Sequence, residues 1–136
     1  MVEAYSDSSR KNSKVASSAI VVTEDMYVDS IAEINPDSVG SHVGELEGMI
    51  MAMRIVNDNI EYGEVVNLYS DCESLVDELK CYLNKTKRLP APKDNELWVE
   101  LINLCSNYKL SPSYTKAHLD TVSCNTFCDI VSRLLA

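Results

Sequence analysis

The apolar pattern of this chain changes period at Ser41, and few architectures accommodate that change. Before it, three segments are rich in β-branched residues: Val2–Ser6, Lys14–Tyr27 with its VASSAIVV run, and Val28–Ile34. They read as strands, because branched side chains pack well on a pleated surface. The polar turn SSRKNS separates the first two, and EINPDSVGS closes the third with proline and glycine. Three consecutive strands on short connections predict an antiparallel meander. After the change, Ser41 can cap a helix in which Val43, Leu46, Ile50 and Met53 recur at helical spacing, with Glu45 and Glu47 in its early turns. That helix is expected to end near Asn57.

The near-continuous apolar run Glu64–Ser70 predicts a fourth strand, central and covered on both faces. Glu73–Leu83 predicts a second helix with Leu75, Val76, Leu79 and Leu83 on one face. The basic, proline-containing NKTKRLPAPK reads as a loop. Asp94 is expected to cap a third helix, Asn95 to about Asn107, burying Leu97, Trp98, Leu101, Ile102 and Cys105. A short fifth strand over Leu110–His118 and a terminal helix over Val122–Leu135 complete the order βββαβααβα. This predicts an α/β fold: a five-stranded mixed sheet, three antiparallel strands and then parallel ones, with helices on both faces. Met49, Met51, Met53 and Trp98 read as packing residues.

The 136 residues suffice for one domain, 1–136, with a real core. No apolar run approaches the ~20 residues of a membrane span, so no membrane partner is expected. The N-terminus MVEAYSDSSRKNSK lacks the apolar segment of a signal peptide. An intracellular protein is therefore expected, in cytoplasm or nucleus or associated with a virus or retroelement, either free or cut from a larger polyprotein. The five cysteines (Cys72, Cys81, Cys105, Cys124, Cys128) form no C-x-x-C pair. Cys124 and Cys128 share a helix face near His118, but a zinc site asks for four ligands, so buried reduced thiols and a reducing compartment are expected. Twenty-one acids against twelve bases give a net charge of −9, which argues against binding of nucleic acid by a bulk positive field. Five of the twelve bases, however, fall in the acid-free stretch from Lys80 to Lys93.

Four carboxylates occupy informative places. Asp7 is expected at the end of the first strand, Glu45 in the first turns of the first helix, Asp71 at the end of the fourth strand, and Asp129 in the terminal helix. If the first and fourth strands are parallel neighbours, Asp7 and Asp71 emerge side by side, and crossing helices can bring in the other two. Each acid alone reads as a solvated charge; the argument rests on all four. Clustered carboxylates repel unless a cation neutralises them. A hard divalent ion such as Mg²⁺ is the natural occupant. Two such ions about 4 Å apart can clamp the attacking and leaving oxygens of an in-line phosphoryl displacement.

The element order, with AYSDSS around Asp7, GELEGMIMAM around Glu45, NLYSDCESLV around Asp71, NELW opening the third helix, and AHLDTVSCNTFCDIVSRL, resembles the ribonuclease H family, including the domains attached to reverse transcriptases. The last segment carries the spacing H-x₆-N-x₃-D over His118, Asn125 and Asp129. The resemblance implies that Asp7, Glu45, Asp71 and Asp129 bind two Mg²⁺ or Mn²⁺ ions, that His118 assists proton transfer or product release, and that Asn125 holds the terminal helix or touches substrate. Glu47 is the rival to Glu45, which better fits the family pattern because it precedes Leu46 with small Gly48 three residues on. The loop after Asp7 lacks the family's glycines, so backbone contacts there pass to Ser8, Ser9, Arg10 and Lys11. Lys85, Lys87 and Arg88 lie where some members carry a basic substrate-binding protrusion.

The resemblance thus implies a metal-dependent endonuclease that cuts the RNA strand of RNA–DNA hybrids, recognised by shape and 2′-hydroxyls. Two alternatives stand beside it. One is a nuclease of the same fold acting on duplex RNA or DNA. The other is a non-catalytic interaction module of a polymerase or reverse-transcriptase assembly, the parent polyprotein being the partner.

Overall fold

The structure, a computed structural model, describes residues 1–11, 14–23, 26–35, 41–85 and 92–115. Three ten-residue strands come first: β1 (Val2–Lys11), β2 (Lys14–Thr23) and β3 (Met26–Asn35). They are followed by α1 (Ser41–Asn59), β4 (Val65–Ser70), α2 (Glu73–Leu83), α3 (Pro92–Cys105) and β5 (Lys109–Tyr114). The strands form one sheet in the order β3-β2-β1-β4-β5. Pairing is antiparallel among β1, β2 and β3, and parallel from β1 to β4 and from β4 to β5. The expected mixed sheet is present, with β1 and β4 as parallel neighbours.

Several boundaries differ from expectation. β1 does not stop at Ser6: Ser8, Ser9, Arg10 and Lys11 pair in register with Ser17, Ala16, Val15 and Lys14. The polar SSRK segment is therefore strand. A ladder is made by backbone groups, and the buried serines of β2 accept a polar partner strand. β2 ends at Thr23, and Met26 and Tyr27 open β3, with a register shift at Val21/Val22. α1 extends to Asn59. α3 begins at Pro92, so Asp94 lies inside the helix; proline fits a first turn because its missing N–H would have no partner there. β5 ends at Tyr114, short of His118. The expected terminal helix, Val122–Leu135, lies outside the described residues.

α1 packs across β1 and β2, and α3 packs on α1. Leu46, Met49, Met53 and Val56 of α1 share a fully buried core with Ala4 and Ala19 of the sheet and Val66 and Leu68 of β4. Small alanines under the helix let it sit close to the strands, while the larger side chains fill the flanks. Each such Leu, Met or Val contributes roughly 1.5–3 kcal/mol by leaving water. Trp98 and Leu101 of α3 close the same core, and Trp98 stands edge-on to Tyr82 at 4.8 Å between ring centroids. The methionines and Trp98 are packing residues, as expected.

One topological detail prepares the site. The β1–β4 ladder runs from Val2↔Val66 to Tyr5↔Tyr69 and stops there. β1 continues beside β2, while β4 ends at Ser70. The sheet therefore opens into a fork between two parallel neighbours.

Candidate active site

Asp7 and Asp71 stand on the two arms of this fork, each two residues past the last ladder pair. Asp7 is thus inside β1 rather than at a strand end; what ends before it is the pairing with β4. Glu45 enters from the first turns of α1. One carboxylate oxygen from each of Asp7, Glu45 and Asp71 lies within 4.8 Å of the other two. Asp7 is fully buried, Glu45 is 9% exposed, and Asp71 is half-buried.

The approach of Glu45 depends on two glycines. A Cβ at Gly48 would lie 3.1 Å from the carbonyl oxygen of Asp7, closer than nearly all such contacts, so α1 can come this near to β1 without strain because the residue is glycine. At Gly44, one turn earlier, a Cβ would collide with the Val15 side chain. The buried Ser17 hydroxyl donates to the Gly44 carbonyl at 2.8 Å, fixing the helix on β2 next to Glu45. Glu47, the rival, is half-buried and lines a hollow with Met51, Arg54 and Leu97, apart from the cluster.

The electrostatics of the cluster are unfavourable as they stand. At an effective dielectric near 20, each ionised pair at about 4–5 Å repels by about 3–4 kcal/mol. Three such pairs approach the whole stability of an ordinary domain, about 5–15 kcal/mol. The protein answers by holding a proton: the Glu45 carboxyl is pushed up to about 8, first by burial and then by the charge of Asp71. Hydrogen bonds from Ser8 pull the other way. The Ser8 N–H also donates to Asp7 Oδ1 at 2.9 Å. Glu45 Oε2 and Asp71 Oδ1 are buried and accept no hydrogen bond. Oxygen ligands in a half-closed cluster, two of them with unused buried acceptors, fit a hard divalent cation.

The other expected site residues are placed as follows. Ser8 adjoins both Asp7 and Glu45. Arg10 and Lys11 lie on the β1–β2 hairpin, paired with Val15 and Lys14. Lys85 is exposed just after α2, with φ of 59°. Lys87, Arg88, His118, Asn125 and Asp129 lie outside the described residues. Two features had no place in the reading of the sequence: the stacked rings of Tyr5 and Tyr69, with centroids 4.7 Å apart, and the buried Ser6 and Ser70. A signal existed, since both arms read Tyr-Ser-Asp, at 5–7 and at 69–71.

Comparison with known proteins adds the following. The model of the family described as RNase H matches residues 1–135. No curated protein matches the chain. Among solved structures, the N-terminal RNase H domain of a Mycobacterium tuberculosis protein superposes with a TM-score of 0.73 at 15% identity, covering 95% of this chain and 93% of that one. RNase H1 from the halophilic archaeon Halobacterium salinarum gives 0.72 at 15% identity, over 99% and 98%. LC11-RNase H1, solved in complex with RNA/DNA hybrid, gives 0.71 at 11% identity over the full length of both chains. At such identities these likenesses carry the fold.

Proposed function

The chain belongs to the RNase H family and is a ribonuclease H-type endoribonuclease; from that premise we propose that it hydrolyses the RNA strand of RNA–DNA hybrids, using two divalent cations, Mg²⁺ or Mn²⁺. The observation that carries the metal part is the convergence of Asp7, Glu45 and Asp71 from β1, α1 and β4 within 4.8 Å. Asp129, which lies outside the described residues, is the fourth ligand that the family resemblance implies. Bound cations supply activation of the attacking water and stabilisation of the leaving 3′-oxygen in an in-line displacement.

The chain's own residues do the rest. The Ser8 N–H orients the Asp7 carboxylate. Glu45 would hold a cation in its ionised form, so cation binding would be linked to release of its proton. Among the described residues, β1–β4 pairing stops before Asp7 and Asp71, and the half-buried Asp71 is the carboxylate we assign to face a scissile phosphate. The hybrid substrate is supported by the family and by the hybrid-bound LC11-RNase H1 of the same fold. Ser8, Arg10, Lys11 and Lys85 are proposed substrate contacts, and the family resemblance adds Lys87, Arg88 and Asn125. His118 assists proton transfer or product release.

The test is cleavage of a labelled RNA–DNA hybrid in Mg²⁺ and in Mn²⁺, beside single-stranded RNA, duplex RNA and duplex DNA. Metal-dependent cutting confined to the hybrid is expected. Cutting of duplex RNA or DNA instead moves the substrate and keeps the chemistry. No cutting of any of them overturns the reading. Charge reversal at Lys85, Lys87 and Arg88 is expected to weaken hybrid binding and flatten its salt dependence by about 0.9 in log–log slope per lost phosphate contact. An unchanged slope removes these residues from the interface.

A further inference from the structure

We infer that the two Tyr-Ser-Asp segments form a clamp that holds the fork at cation-binding width, making Tyr5, Tyr69 and Ser6 positioning residues. The inference rests on the reading of the fork as a divalent-cation site.

The two segments lie side by side in parallel register, so the same three residue types face each other across the β1–β4 boundary. Tyr5↔Tyr69 is the last ladder pair, and its rings stack with an interplanar angle of 16°. On the other face of the sheet, the buried Ser6 hydroxyl donates to the Tyr69 carbonyl at 3.3 Å, past the point where the ladder stops. Ser70, also buried, accepts the N–H of Cys72 through its hydroxyl at 3.2 Å, which fixes the backbone on either side of Asp71. The Tyr5 hydroxyl donates to Glu3 Oε2 at 2.5 Å within its own strand, a bond that does not cross the fork. The base of the fork is therefore gripped from both faces, by the tyrosines two residues below the carboxylates and by Ser6 one residue below.

A grip is needed there because the carboxylates push outward. Mutual repulsion of the Asp7 and Asp71 carboxylates favours a wider fork when no cation is present, and a widened fork must be drawn together before it can bind. Preorganisation removes that step. Loosening the clamp should thus appear in cation affinity, and much less in turnover once the site is filled. A role confined to folding would lower stability and leave affinity alone.

The experiment is calorimetric titration of the full chain with Mg²⁺ and with Mn²⁺, comparing wild type with Tyr5→Leu, Tyr69→Leu, Ser6→Ala and Tyr5→Phe. Melting in EDTA and hybrid cleavage at saturating cation are measured alongside. The leucine variants are expected to bind cation about three- to tenfold more weakly, the range a stacked aromatic pair supports. Ser6→Ala is expected to weaken binding in the same direction. Turnover at saturating cation should stay within about twofold, the pattern of lost ground-state preorganisation. Tyr5→Phe keeps the ring and should bind as wild type does. Leucine variants that melt lower but bind cation as wild type does overturn the clamp. Tyr5→Phe as weak as Tyr5→Leu overturns the stack as its basis. If one leucine variant does not fold, the other, with Ser6→Ala, decides. Wild type binding neither ion overturns the cation-site reading itself, an outcome distinct from equal binding by all variants.

Discussion

Helix α1 meets acidic side chains near both its ends and handles them in opposite ways. Near its start, Glu45 is buried against Asp7 and Asp71, and burial with the neighbouring charge holds it protonated up to about pH 8. Two and a half turns on, Arg54 reaches Glu100 of α3 in an ion pair whose side chains stay 59% and 37% exposed. The fork gathers three carboxylates, whereas the far pair sets a guanidinium against a carboxylate, and access to water differs as well. At the α1–α3 seam, solvent screens the charges and the pair is close to neutral for stability. At the fork, desolvation turns each added charge into a penalty of several kcal/mol. A fold spends stability in that way where the site has a task, and the comparison can be broken or sharpened from either end.

The largest effect is expected at Asp71. Asp71→Asn removes one charge while keeping shape, so hybrid cleavage should fall to background. The melting temperature in EDTA should stay level or rise by about 2–5 °C, since relief of about 1 kcal/mol moves a domain of this size by a few degrees. Near wild-type turnover would remove Asp71 from the site. A fall in metal-free stability would show that the fork carries no strain.

The second effect is a pH dependence. In the cation-free protein, folded Glu45 keeps its proton up to about 8, whereas the unfolded chain loses it near 4.5. Between those values the folded state binds more protons, so stability falls as pH rises through the window. The groups facing Glu45 are Asp7, Asp71 and Ser8. Melts in EDTA should drop from pH 5 to pH 8 in wild type, drop less in Glu45→Gln, and recover on adding Mg²⁺ more at pH 8 than at pH 5. Equal slopes in wild type and Glu45→Gln would place the held proton elsewhere.

Much of this was legible in the chain, for identifiable reasons. The switch of period at Ser41 gave the order of elements, and the parallel adjacency of β1 and β4 brought Asp7 and Asp71 together as expected. What escaped was structure made by backbone and by small residues. The hairpin beyond Asp7 is strand because β2 pairs with it, and nothing in SSRK announces that. Pro92 reads as a helix breaker unless it falls in a first turn, where it fits. Gly48 was legible as a close-packing residue. Ser17, which bonds Gly44, and the stacked tyrosines were not, because their roles depend on register.

A smaller effect is expected at Gly48. Alanine is better than glycine in a helix interior by about 1 kcal/mol. Its Cβ would meet the Asp7 carbonyl at 3.1 Å, and that carbonyl belongs to a strand paired residue by residue with β2, which cannot easily withdraw. Overpacking of about 1–3 kcal/mol should outweigh the helical gain. Gly48→Ala should therefore melt lower and bind Mg²⁺ more weakly, because α1 carries Glu45 away as it shifts. A higher melting temperature would mean that propensity wins and that the approach of α1 has slack.

The smallest effect belongs to the far end of α1, and its smallness is the point. Arg54 Nε donates to Glu100 Oε2 at 2.6 Å in good geometry, yet both groups remain in contact with water. A double-mutant cycle of Arg54→Ala and Glu100→Gln should return a coupling of about 0.2–1 kcal/mol, shrinking with added salt. Neither single variant should change Mg²⁺ affinity, since the pair and the fork share no partner. A coupling above about 2 kcal/mol, or a shift in Mg²⁺ binding, would mean that α1 transmits strain along its length and that its two ends act as one device.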